Sequence, residues 1–282
     1  MIIWIASYPK SGNTWLRALI SSYYYSNNGL FEKKLLNYTG QFPEKSHFKD
    51  FDYDQTKITG TCKFWIEAQN IINKEKKINF LKTHNIFGSS DGHSFTNKNT
   101  SLGCLYIVRD PRNVITSLKN HYELSYEDSF KFMISEKKYI FDFHKFNDFS
   151  DFQFISSWEK NYQSWRNQKE IPIKFIKYED LAEKTFSIFE EIIEFINVIT
   201  KNENVVNKSK LKNAIKSTEF NKLKKIEETE GFAEAVLSQN KQKKINFFQL
   251  GPNNKWHNIL DVQFQNKLNK KFEKNLIELN YS

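Results

Sequence analysis

The chain is poor in the residues that build several other protein classes. Its 282 residues include only two cysteines, Cys62 and Cys104. Neither has a second pair beside it, which excludes a disulfide framework or a four-ligand zinc site and makes a reducing cytoplasm the expected setting. Arginine is scarce: only Arg17, Arg109, Arg112 and Arg166 stand among the 42 basic residues. The lysines are spread along the chain with no basic arm or tail, so a net charge of +9 suits an anionic ligand without pointing to nucleic acid. Long hydrophobic runs are missing as well. The apolar start from Ile2 to Ala6 meets Pro9, Lys10 and Gly12 too soon for a secretory core, and no stretch reaches a membrane span. No glycine or proline linker and no internal repeat divides the chain, so one domain over residues 1–282 is expected. Apolar surface is plentiful: 39% hydrophobic and 16% aromatic residues can bury enough area to exclude a disordered chain.

Four short apolar segments read as strands: Ile2 to Ser7, Phe80 to Thr83, Leu102 to Val108 and Ile173 to Lys177. Each is followed by polar or helix-starting residues. Between and around them, Thr14 to Tyr25, Pro111 to Asn120, Phe152 to Trp165 and Phe186 to Ile196 carry apolar residues at helical spacing. Near-continuous apolar strands alternating with helices predict an α/β fold, a central parallel sheet with helices on both faces. Val262 to Leu279 reads as an amphipathic helix with a lysine-rich solvated face. Segments 123–150 and 217–254, richer in charge and turn residues, are expected to be mobile and to lie over the site.

The most informative segment is Ser7-Tyr8-Pro9-Lys10-Ser11-Gly12-Asn13-Thr14-Trp15, which joins the first strand to the first helix. A tight glycine-containing turn at a helix N-terminus makes an anion cradle, because unpaired amides and the positive dipole end converge there. The lysine precedes the glycine by two residues, the reverse of a Walker A loop. The segment resembles the 5'-phosphosulfate loop of the sulfotransferases that use 3'-phosphoadenosine-5'-phosphosulfate (PAPS). Tyr106-Ile107-Val108-Arg109-Asp110-Pro111-Arg112, with Ser117 eight residues after Arg109, is similar to that family's 3'-phosphate segment. Arg109 paired with Asp110 as an ordinary surface ion pair is the structural alternative. The resemblance runs from Ile2 to about Asn258 and is dense only in these motifs.

The resemblance implies a P-loop-like architecture, PAPS as donor, 3'-phosphoadenosine-5'-phosphate (PAP) as product, and no metal. It implies that His84, in Lys82-Thr83-His84, is the general base. Histidine suits that role because its unperturbed pKa lies near working pH. Lys10 is implied as the lysine that stabilises the leaving oxygen, with Ser117 able to hold it before the acceptor arrives, and Lys82 as the residue that steadies the sulfuryl oxygens. Backbone amides of Ser11, Gly12, Asn13 and Thr14 are expected on the 5'-phosphate, and Arg109 with Ser117 on the 3'-phosphate. Trp15, Tyr178, Thr218 and Phe220 are expected to form the adenine slot.

One segment departs from the pattern. Phe247-Phe248-Gln249-Leu250-Gly251, with Trp256 after it, is similar to the family's closing Arg-Lys-Gly segment, but Gln249 and Leu250 replace the two cations. Gly251 carries over. Lys243, Lys244 or Lys255 are candidates to compensate as point charges. The family's dimer motif is not matched: His257, Asp261 and Asn266 stand where Lys, Thr and Glu are needed, which leaves the oligomeric state open. The expected acceptor is a hydroxyl, with an amine as the lesser alternative, on a small molecule, glycan or lipid-type compound. Its pocket is expected from Phe31 to Trp65, Tyr122 to Phe149 and the segment after Gly231. The rivals are an atypical P-loop kinase and a non-catalytic nucleotide-binding protein.

Overall fold

The computed structural model describes residues 1–232, 234–237 and 244–281. Its centre is a four-stranded sheet of β1 (Ile2–Ser7), β2 (Asn79–Thr83), β3 (Ser101–Val108) and β4 (Ile173–Lys177), in the spatial order β2-β1-β3-β4 and parallel throughout. The two faces of β1 show why its apolar run is unbroken. Ile2, Trp4 and Ala6 enter one core with Trp65, Trp158 and Phe272, while Ile3 and Ile5 enter another with Leu16, Ile192 and Ile193. A strand buried on both sides has no polar face to alternate with.

The helices follow the expected order: α1 (Asn13–Tyr25), α2 (Trp65–Asn73), α3 (Pro111–Tyr122), α4 (Tyr126–Ile134), α5 (Trp158–Asn167), α6 (Tyr178–Glu183), α7 (Thr185–Thr200), α8 (Lys208–Ser217), α9 (Phe220–Glu230) and α10 (Val262–Glu278). One helix begins later than its periodicity predicts. Within Phe152 to Trp165, Gln153–Phe154 pairs in antiparallel fashion with Tyr139–Ile140, and α5 starts only at Trp158. Ser157 sets that start by accepting a hydrogen bond from the Lys160 amide at 3.2 Å. The two segments expected over the site contain α4 and α9, and in the second, residues 233 and 238–243 lie outside the described residues. Among the described residues, no helix is long and apolar enough to cross a membrane.

The sheet positions the site through its topology. β1 has β2 on one side and β3 on the other, so the connections leaving β1 and β3 diverge and open a crevice at the strands' C-terminal ends.

Candidate active site

That crevice is a cavity of about 1800 Å³. At its floor the chain turns sharply from β1 into α1. Lys10 and Gly12 both have left-handed backbone, at φ 65° and 100°. Glycine is required at position 12 for a second reason, since a Cβ there would collide with the Tyr178 ring. Asn13 fastens the turn to the strand it leaves, donating its side-chain amide to the Ile5 carbonyl at 2.9 Å and to Ser7 Oγ at 3.2 Å. No side chain caps α1, so its first-turn amides remain available to a ligand.

His84 follows β2 and is gripped on three sides. Its backbone amide donates to Gln153 Oε1 at 2.7 Å, its carbonyl accepts from Asn161 Nδ2 at 2.9 Å, and its Nδ1 lies 2.7 Å from the Ser7 carbonyl. A carbonyl can only accept, so Nδ1 carries the proton and Nε2 keeps its lone pair. Burial first, and then the Lys82 ammonium, push the imidazole down to about 3. His84 is therefore neutral at physiological pH, in the tautomer a base needs.

Lys10 is the next element of the site. Its Nζ is buried 3.7 Å from the centroid of the Phe247 ring and has no hydrogen-bond partner among the described residues. A desolvated cation on a ring face gains about 2 kcal/mol. Burial nevertheless pulls the ammonium down to about 7; Glu234 opposes that shift, while Lys82 and Arg109 add to it. His121 lies beside the same ring, and burial followed by Lys10 lowers it to about 3.

Arg109, at the end of β3, reaches the back of the same turn. It donates to the Lys10 carbonyl at 3.3 Å and to Ser117 Oγ at 3.4 Å, with its guanidinium 4.3 Å from the Tyr178 ring centroid. The surface pairing with Asp110 does not occur. Asp110 instead caps α3 and holds Arg112 at 2.8 Å, and Arg112 covers the Trp256 ring. Arg109 Nε, Ser11 Oγ and Lys10 Nζ are buried and have no partner among the described residues. Two cationic side chains and a hydroxyl with unused donors, around one loop, fit a polyanionic ligand.

The chain matches the sulfotransferase domain family over residues 2–280. It belongs to that family. Luciferin sulfotransferase of Photinus pyralis is 21% identical over 229 residues, covering 78% of this chain and 56% of that protein. The chain thus spans a little over half the length of this curated relative. Mouse sulfotransferase SULT7A1, complexed with PAP, has the same fold with a TM-score of 0.58 at 18% identity, covering 98% of this chain and 84% of that one. Retinol dehydratase, in complex with androsterone and the inactive cofactor PAP, gives 0.57 at 15% identity, covering 98% and 80%.

In this sulfotransferase domain the cavity brings together Lys10, Gly12, Asn13, Thr14, Trp15, Lys82, His84, Arg109, Ser117, Tyr178, Phe220 and Gly251. Ser11 is fully buried beneath the turn. Thr218 is not brought to the cavity: it is fully buried and its hydroxyl donates to the Ala214 carbonyl at 2.8 Å, ending α8. Ser117 does not hold Lys10 here. Its oxygen accepts from Arg109 and, at 3.0 Å, from Asn254 Nδ2, while Lys10 goes to Phe247. Trp15 and Tyr178 meet edge to face at 5.7 Å. Gln249 and Leu250 do line the cavity, but Lys255 does not, and Lys243 lies outside the described residues.

Sequence reasoning missed the residues that hold these groups in place. Glu227 accepts from the Phe247 and Phe248 amides, at 2.6 and 2.8 Å, and so fixes the ring beneath Lys10. Asn254 links Thr116, Asn113 and Ser117. Glu234 is held by Thr14, Arg17 and Lys82. None sits in a recognisable motif, and the available signal was only a carboxylate or amide beside a glycine-containing turn.

Proposed function

We propose that the protein transfers a sulfuryl group from PAPS to an acceptor hydroxyl, with His84 as general base. The observation that carries this reading is the convergence in one cavity of a neutral His84 with its lone pair on Nε2 and a buried Lys10 ammonium that lacks a hydrogen-bond partner among the described residues. PAP in two structures of the same fold supports it.

On this reading the donor supplies the sulfuryl group, and the chain supplies placement and charge. Amides of the turn from Ser11 to Thr14 hold the 5'-phosphate at the N-terminus of α1. Arg109 and Ser117 hold the 3'-phosphate, and Trp15, Tyr178 and Phe220 border the base. His84 takes the acceptor's proton on Nε2, and the imidazolium that forms has its Nδ1–H already on the Ser7 carbonyl. Lys10 places positive charge where the leaving phosphate oxygen develops its negative charge, in a site that water does not screen. The acceptor side is bordered by Gln41, Lys138, Tyr139, Phe141, Phe146 and Gln153. This mix of aromatic faces and cations suits a glycan, lipid-linked or ring-bearing alcohol.

Calorimetric titration with PAP, with ADP as the control lacking the 3'-phosphate and no magnesium present, tests the donor site. The expected result is PAP binding that ADP does not match. Equal binding, no binding, or a magnesium requirement would overturn the reading. Transfer of labelled sulfate from PAPS to a panel of alcohols, phenols and amines then identifies the acceptor.

A further inference from the structure

Glu234 belongs to the segment after α9, yet its carboxylate lies across the cavity against α1 and β2. One oxygen accepts from the Thr14 hydroxyl, the other from the Arg17 guanidinium, and the Lys82 ammonium stands 3.4 Å away. Arg17 is otherwise fastened: its Nε donates to the Thr39 carbonyl at 2.8 Å, which leaves one end of the guanidinium aimed at Glu234. Glu234 lines the cavity, whereas Arg17 is 6% exposed and does not. The carboxylate therefore screens Arg17 from the cavity. A hydroxyl at a helix N-terminus, a fixed guanidinium and an ammonium, converging on one planar anion, form a seat for an oxyanion.

We infer that Thr14, Arg17 and Lys82 form the seat of the transferred sulfuryl group, and that the Glu234 carboxylate is an internal competitor for it. The inference rests on the proposed donor reading, in which the Thr14 amide meets the 5'-phosphate, and on the sulfuryl-steadying role that the family resemblance implies for Lys82; it adds Arg17 as a further binding residue. A sulfuryl group presents oxygens of the same charge-accepting kind as a carboxylate. The two cannot share three donors, so PAPS must displace the side chain, and its apparent affinity is reduced by the fraction of molecules in which Glu234 holds the seat. PAP lacks the sulfuryl group and has no such competition. Without either anion, the Arg17 and Lys82 cations would face each other unpaired.

The test is calorimetric titration of the whole chain and of Glu234→Gln with PAPS and with PAP, alongside melting temperatures with and without inorganic sulfate. Glu234→Gln is expected to tighten PAPS about tenfold and change PAP less than about threefold. Sulfate should raise its melting temperature more than that of the unsubstituted chain. Glu234→Asp, which keeps the charge on a shorter stem, should move PAPS in the same direction by less, and it serves if the glutamine variant does not fold. Arg17→Lys should weaken PAPS and leave PAP nearly unchanged. Parallel changes in PAPS and PAP, or weaker PAPS binding by Glu234→Gln, would overturn the inference. If the unsubstituted chain binds neither nucleotide, the donor reading fails and the sulfate arm decides the seat alone: equal sulfate stabilisation of both proteins would sink it too.

Discussion

The two walls of the cavity are built on different principles. The wall at the sheet's end carries Lys10 and Gly12 in the turn from β1 to α1, His84 and Arg109 directly after β2 and β3, and Ser117 on the second turn of α3. Backbone contacts to the neighbouring strand ends hold it: Nδ1 of His84 to the Ser7 carbonyl, Arg109 to the Lys10 carbonyl, Asn13 to the Ile5 carbonyl. The opposite wall, from α9 to Trp256, is held by side chains: Glu227 on two amides, Phe247 on Lys10, Glu234 on Arg17 and Lys82, Asn254 on Ser117. The residues proposed for the chemistry sit where the sheet fixes geometry, and the covering wall supplies counter-charges and ring faces around them. A site built this way keeps its geometry when the cover moves but changes its electrostatics.

The division of labour breaks most visibly at the sheet wall. Lys10→Ala and His84→Ala should each lower turnover by roughly 100-fold or more once an acceptor is in hand, because on the proposed reading each removes a group that acts on the reacting atoms. Phe247→Leu leaves both groups present and should cost far less. Steady-state rates with labelled PAPS measure all three. A Phe247 variant as impaired as Lys10→Ala would show that the covering wall carries chemistry after all.

The same division explains what the sequence could reveal. All four strands, the turn from Ser7 to Trp15 and the Arg109 segment were legible because local pattern decides them: short apolar runs, a glycine at positive φ, a proline opening α3. Thr218 was misplaced because a hydroxyl that ends a helix and one that faces a ligand are the same residue type in the same place. Glu234 was illegible. Its partners lie 152 to 220 residues away, and it reaches them on a segment whose Phe232 packs with Phe248 and Ala18 in one apolar cluster. The depressed pKa of His84 was invisible for a similar reason, since it comes from burial first and then from the Lys82 charge.

A second prediction sharpens the comparison through pH. Burial pulls Lys10 down to about 7 in the free protein, and the phosphates it would bind lose their second proton with a pKa of about 6. PAP affinity should therefore peak between about pH 6 and 7 and fall by up to about tenfold per pH unit above it, as protonated Lys10 becomes scarce. The sign for stability is opposite. Folding lowers the Lys10 pKa from 10.5, so between 7 and 10.5 the unfolded chain holds the extra proton and this group's contribution to stability rises with pH. His84, already neutral in the folded chain, should add no break in affinity between pH 5 and 8, while its contribution to stability rises with pH until the unfolded imidazole has lost its proton above 6.5. Titrations from pH 5 to 9 check this, and Lys10→Ala should remove the alkaline fall. An affinity that stays flat from pH 6 to 9 would show that the covering wall keeps Lys10 charged without the ligand.

The smallest expected effect concerns the covering wall alone. Gln249 lines the cavity and spends its side-chain amide on the Asn246 carbonyl at 3.0 Å, so the wall offers no charge at that position. Gln249→Arg places a guanidinium on the same backbone, in the cavity that Arg109 and Ser117, the proposed 3'-phosphate holders, and Asn254 also line. Being partly solvated, the new pair should tighten PAP by only about three- to tenfold, and ADP, with no 3'-phosphate, by less than about twofold. Lysine at 249 should achieve less, because a point charge lacks the fork that matches phosphate. Should arginine tighten ADP as much as PAP, the covering wall acts as a diffuse field over the whole nucleotide. Should it tighten neither, Asn254 and Ser117 already satisfy the phosphate, and the neutral wall is sufficient as it stands.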